Sequence, residues 1–114
     1  TGSVENLSRV RDNPNLTYIR DTVMDKDVIR RTVSDADEIY HLAAVVGVAR
    51  VEGEPIDTIE TNVYPTQLIL GELKQLADQG KFVKFYLAST SEVYGKNPNP
   101  PWKEEDDLVF GATI

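Results

Sequence analysis

Thr90 and Glu92 are the residues of this chain best equipped for chemistry. They lie in the polar run Ser89-Thr90-Ser91-Glu92, which follows directly on the largely apolar stretch 82–88. A threonine hydroxyl can bond a substrate hydroxyl or the oxyanion that develops from it, and a carboxylate can move a proton. Residues two apart in extended chain point to the same side. If the segment stays extended, both groups face one cleft. The same four residues would also make an ordinary polar turn. Tyr94 is a possible acid or base by residue type, but it reads as a packing residue.

Two further stretches invite attention. Small residues after a strand let a flat ligand lie against the backbone, and His41-Leu42-Ala43-Ala44 is such a stretch. Its other use is close packing of a strand on a helix, with His41 as a structural histidine. Asp21, followed by Thr22, could accept hydrogen bonds from an adenine amino group or a ribose, or could simply serve a turn.

The elements that must position these residues alternate between short strand-like and longer helix-like segments, which predicts an α/β fold with a parallel sheet. Ser3 caps a short helix reaching about Val10, and Asp12-Asn13-Pro14-Asn15 is a turn cluster. Residues 16–20 alternate as a strand would. Asp25 caps a helix to about Val33 that buries Val28 and Ile29, with Val33 as a further candidate. A second strand covers 38–42 and runs into the small-residue stretch 43–49. After Pro55, Ile56, Ile59, Val63, Thr66, Leu70 and Leu73 recur at spacings of three and four, flanked by Ile69, Leu76 and Ala77. That pattern predicts one long helix with a continuous apolar face, kinked at Pro65 and ended by Gly80. Residues 82–88 form a third strand, and the Pro-rich stretch 98–101 is loop. Strand–helix–strand–helix–strand is about half of a doubly wound sheet, whose ligands bind at the carboxyl ends of the strands. Those ends are Asp21-Thr22, Ala43-Ala44 and 89–92.

Composition narrows the function classes. The chain has 114 residues, enough for one modest core. A formal net charge of −7 argues against non-specific binding of nucleic acid. The acidic run 104–107 and the pair Arg30-Arg31 read as solvated surface. There is no cysteine and one histidine, so neither a disulfide framework nor a thiolate or His-rich metal site is expected. The longest apolar run, 42–49, is too short to span a membrane, and the first residues lack the pattern of a secretion signal. A cytoplasmic location is the simplest expectation.

At the polar run the sequence becomes familiar. Tyr86-Leu87-Ala88-Ser89-Thr90-Ser91-Glu92-Val93-Tyr94-Gly95 closely resembles the active-site strand of the NAD-dependent epimerase/dehydratase family, the extended short-chain dehydrogenases/reductases. Thr1-Gly2-Ser3 with Asn6-Leu7 resembles the turn against the cofactor's adenosine ribose, and Asp21-Thr22 the adenine-binding pair. His41-Leu42-Ala43-Ala44 resembles the nicotinamide-side floor, and Thr61-Asn62-Val63 with Thr66 the long helix that follows it. The matches fall in family order and cover nearly the whole chain.

The resemblance implies a partial Rossmann-type NAD-binding domain over residues 1–114, from a nucleotide-sugar enzyme. The family's Gly-rich turn, its Tyr-x-x-x-Lys helix and its C-terminal substrate domain are not found in these residues. The first βα unit is thus expected elsewhere in a longer chain, and these residues alone are expected to be inactive. The cofactor would be NAD, contacted by Thr1, Gly2, Asp21, Thr22, Leu42, Ala43, Ala44, Thr61 and Ser89. Thr90 would bind the sugar hydroxyl that is oxidised, Ser91 would contact substrate, and Glu92 would act beside the new ketone. Ser91-Glu92 after Thr90 is similar to UDP-glucuronate decarboxylases and to GDP-mannose dehydratases, and the opening Thr-Gly-Ser leans toward the former. UDP-glucuronate decarboxylation is the favoured expectation, with 4,6-dehydration or 4-epimerisation as rivals and a non-catalytic binding module as the alternative of another class. Related enzymes commonly dimerise through the helix after Pro55, so a homodimer is expected.

Overall fold

A computed structural model describes residues 3–109. Ser3 accepts the Glu5 N–H and caps a 3-10 turn, Val4–Leu7. Helix α1, Lys26–Ser34, starts where Asp25 Oδ1 accepts the N–H groups of Asp27 and Val28, at 2.8 and 3.1 Å. Its buried residues are Ile29 and Val33, four apart on one face. Strand β1, Glu38–His41, pairs in parallel with β2, Lys84–Leu87, in the register Ile39 opposite Phe85 and Tyr40 opposite Tyr86. Parallel neighbours need a long crossover, and two helices supply it. They are α2, Val48–Gly53, and α3, Pro55–Asp78. The six-residue α2 was not foreseen; it opens after Gly47, whose φ of 110° is a conformation that favours glycine.

Alternation along the strands decides which face is covered. Ile39 and Phe85 pack against the core of Ile29, Val33 and Ile69, so α1 and α3 lie on one side of the sheet. On the other side Tyr40 and Tyr86 stack with centroids 4.5 Å apart. Beside them Lys84 Nζ meets Glu38 Oε1 at 3.0 Å, and the Tyr40 hydroxyl donates to Glu38 Oε2 at 2.9 Å. The Lys84 ammonium, then the Tyr40 hydroxyl, hold the Glu38 carboxyl below the usual range, and the same carboxylate raises the Tyr40 phenol.

Two expectations need correction. Residues 16–20 are exposed and form no strand; among the described residues no neighbouring strand takes their backbone groups. The face of α3 is also turned from the expected one, although Ile69, Leu73 and Leu76 of that pattern do pack at the core. Thr58, Pro65, Ile69 and Glu72 are buried, while Ile59, Val63 and Leu70 are exposed at 62%, 47% and 50%. The buried stripe is the expected one moved back by one residue, a rotation of about 100°. Hydropathy hid it because three of its members, Thr58, Asn62 and Glu72, are polar. Glu72 is accommodated by Arg30 of α1, whose Nε lies 3.7 Å from Oε1. Pro65 does not end the helix; its ring is fully buried within α3.

Candidate functional site

The parallel strands end side by side at His41 and Leu87, and pairing continues one step, from Ala88 N–H to the His41 carbonyl at 3.2 Å. Beyond this point the chains separate and leave a cavity of about 490 Å³, lined by residues 41–46, Asn62 and residues 87–90. Leu42, Ala43, Ala44, Ser89 and Thr90 are thereby brought together. His41 is buried and stacks on Phe85 with centroids 6.4 Å apart, the packing role open to it from the sequence. Ala43, Ala44, Ala88 and Ser89 are small and exposed, so a flat ring can approach their backbone closely.

Asn62, which the sequence reading did not single out as a site residue, shapes this floor. Its Oδ1 accepts the Val45 N–H at 2.7 Å and its Nδ2 donates to the Val45 carbonyl at 3.0 Å. One side chain of α3 thus satisfies both backbone groups of a residue in the irregular stretch after β1. The available signal was a carboxamide one turn before Pro65, on the stripe Thr58, Pro65 and Ile69 that the helix buries.

Thr90 and Glu92 do not share an extended segment. Thr90 is extended (φ −136°, ψ 148°), but the chain then turns into a 3-10 helix, Ser91–Tyr94, capped by Thr90 Oγ1 accepting the Glu92 N–H at 3.2 Å. The expectation of two groups on one strand face is corrected: capping bends the chain between them. Thr90 lines the cavity, whereas Ser91 and Glu92 ride on the turn beside it. The cap uses one lone pair of the hydroxyl, so its proton and second lone pair remain free for a ligand. Tyr94 packs as expected, stacked on Trp102 at 5.4 Å.

Asp21, Thr22 and Thr61 do not line this cavity. Asp21 Oδ1 accepts the Thr22 N–H at 2.9 Å, Oδ2 lies 3.4 Å from Arg31 Nη2, and Thr22 Oγ1 accepts the Met24 N–H at 3.2 Å. Both side chains brace the entry to α1, and both are exposed. Thr61 is half-buried next to Asn62 and does not line the cavity. Thr1 and Gly2 lie outside the described residues. Among the described residues no helix is long and apolar enough to cross a membrane.

The chain is similar to known proteins. Over 87% of its length the chain is 42% identical to a UDP-N-acetyl-alpha-D-glucosaminuronate decarboxylase of Bacillus cytotoxicus, of which it covers 29%. Over 91% of its length it is 38% identical to UDP-glucuronic acid decarboxylase 1 of Arabidopsis thaliana, of which it covers 22%. The crystal structure of a double mutant of DesIV, a dTDP-glucose 4,6-dehydratase of Streptomyces venezuelae solved with NAD bound, superposes with a TM-score of 0.77 at 29% identity. That match covers 96% of this chain and 33% of the other. The chain therefore spans no more than about a third of these proteins, and its two parallel strands with their helices are part of a Rossmann-type sheet. Residues 1–109 match the family described as GDP-mannose 4,6 dehydratase, and the chain belongs to that family.

Proposed function

We propose that residues 1–114 are part of the NAD-binding domain of a longer enzyme that remodels a nucleotide sugar through a transient keto-sugar, with UDP-glucuronate decarboxylation as the favoured reaction. The observation that carries this reading is the strand-end cavity: Thr90 both lines it and caps the turn that bears Glu92. The volume and the small, exposed residues of its floor suit a flat cofactor ring. Leu42, Ala43, Ala44 and Ser89 would hold the nicotinamide side of NAD, Asp21 and Thr22 the adenine, and Thr1, Gly2 and Thr61 the parts between. When bound, NAD takes a hydride from the sugar and later returns it.

The residues of this chain bind and steer. The free hydroxyl proton and lone pair of Thr90 orient the sugar 4-hydroxyl, and Ser91 contacts the substrate beside it. Oxidation at C4 places the C5 carboxylate beta to a ketone, the position from which carbon dioxide leaves readily. The carbanion left at C5 needs a proton, which Glu92 would supply or orient. The resemblance of the opening Thr1-Gly2-Ser3 with Asn6-Leu7 to decarboxylases and the two decarboxylase relatives support this choice over 4,6-dehydration, in which Glu92 would instead remove the C5 proton; Ser91-Glu92 itself is similar to both kinds of enzyme.

Full-length protein incubated with UDP-glucuronate and NAD should release carbon dioxide and yield a UDP-pentose. No release, with loss of water from a nucleotide hexose instead, would replace the decarboxylase reading with the dehydratase one. The exposed apolar face of α3, where Ile59, Val63 and Tyr64 border a groove of about 430 Å³ with Met24, is the surface through which a homodimer would form. Sedimentation of the full-length protein, wild type and Val63→Glu, tests that assignment.

A further inference from the structure

The turn that carries Glu92 cannot hold itself in place. It is four residues long and buries none of them, and short 3-10 segments are marginal by themselves. Thr90 fixes its front. Its back is fixed by residues 95–109, which double back on it. Gly95 bridges to Val109, Lys96 N–H donates to the Val109 carbonyl at 2.8 Å, and the Tyr94 carbonyl accepts the N–H groups of Asn97 and Val109 at 3.0 and 3.3 Å. This return segment has no helix or strand of its own, so a side chain must tie it down. Trp102 does so at two points. Its ring lies on Tyr94, with centroids 5.4 Å and planes 18° apart, and its indole N–H donates to the Asn97 carbonyl at 3.2 Å. Although it sits in a loop, only 37% of its surface is exposed.

We propose that Trp102 is a positioning residue for the reaction: through Tyr94 it clamps the Ser91–Tyr94 turn and so fixes where Glu92 stands relative to Thr90. The kinetic part of this inference rests on the reading that Glu92 acts on the sugar. The clamp itself does not. Trp102→Phe keeps an aromatic ring to lie on Tyr94 and loses the indole N–H with part of the ring area; Trp102→Ala loses ring and N–H altogether.

The test uses the full-length protein in two arms. In the first, hydrogen–deuterium exchange at the Glu92 and Gly95 amides should quicken about tenfold in Trp102→Ala and change little in Trp102→Phe. Unchanged exchange in Trp102→Ala overturns the inference whatever the substrate. In the second, Trp102→Ala should lower kcat on UDP-glucuronate by on the order of 10- to 100-fold, with KM little changed and activity largely restored in Trp102→Phe. Combined with Glu92→Gln, Trp102→Ala should add no further loss, because both changes remove the same placed carboxyl group. Full additivity would overturn the inference while leaving the role of Glu92 standing, provided Glu92→Gln is itself slow. A fully active Glu92→Gln, or a wild type inert on UDP-glucuronate, would instead overturn the reading of the site, and exchange would still decide the clamp. If Trp102→Ala does not fold, Trp102→Leu, which keeps bulk but no ring, carries the same comparisons.

Discussion

The floor of the cavity depends on one carboxamide, and that dependence can be measured. Asn62→Leu keeps the side-chain volume and removes both hydrogen bonds to Val45. Each such bond has a net value near 1 kcal/mol, so the stretch after β1 should become easier to open by about 2 kcal/mol. Because 1.4 kcal/mol is a factor of ten, protection of the Val45 amide should fall roughly 30-fold. The assay is amide exchange followed by NMR, normalised to intrinsic rates, with the Asp25-capped amides of Asp27 and Val28 as an internal control that should not move. Asn62→Asp refines the test. At neutral pH its carboxylate still accepts from Val45 N–H but faces the Val45 carbonyl without a proton to donate. Protection should therefore be low at pH 7 and recover as the acid protonates near pH 4. Unchanged protection of Val45 in Asn62→Leu would refute the latch, as would loss of protection shared equally by the control amides.

Two other outcomes follow from local contacts. Asp25→Ala should cost about 1 kcal/mol in urea unfolding, and Asp25→Asn almost nothing, because either carboxamide or carboxylate oxygen can accept the two freed N–H groups of α1. Tyr40 should titrate above its ordinary value of 10.0, read as tyrosinate absorbance, and Glu38→Gln should bring it back down. With the phenol raised, its share of stability is present at neutral pH and lost as pH rises through the shifted value. With the Glu38 carboxyl lowered, its share is present at neutral pH and lost as pH falls through its own shifted value.

Features set by neighbours in the chain were legible from the sequence. Asp25 announces α1, Ser3 announces the turn at Val4–Leu7, and β1 and β2 fall within the segments expected for them. Features set by distant partners were not. Two polar members of the α3 stripe, Glu72 and Asn62, make sense only once Arg30 faces the first and Val45 the second. Residues 16–20 have the alternation of a strand, but hydrogen-bonding partners make a strand and alternation does not. Thr90 was recognisable as a hydroxyl at a strand end, yet the same hydroxyl caps a turn, and that second use moved Glu92 out of line. The small residues 43–44 were legible as a place where a ligand could approach the backbone, and they do line the cavity, because such approach needs little more than the absence of bulk.

The hydrogen bonds described for residues 91–109 all return to the segment 90–109, whereas the floor at 41–46 is tied to α3 through Asn62. The two halves of the crevice are therefore held by separate sets of contacts. Substitutions within the looped segment can relocate or replace an acid group without disturbing the surface on which a cofactor would lie, and changes in α3 can retune that surface without touching the acid. A crevice built this way can change one wall through a single short stretch of chain while the other wall keeps its shape.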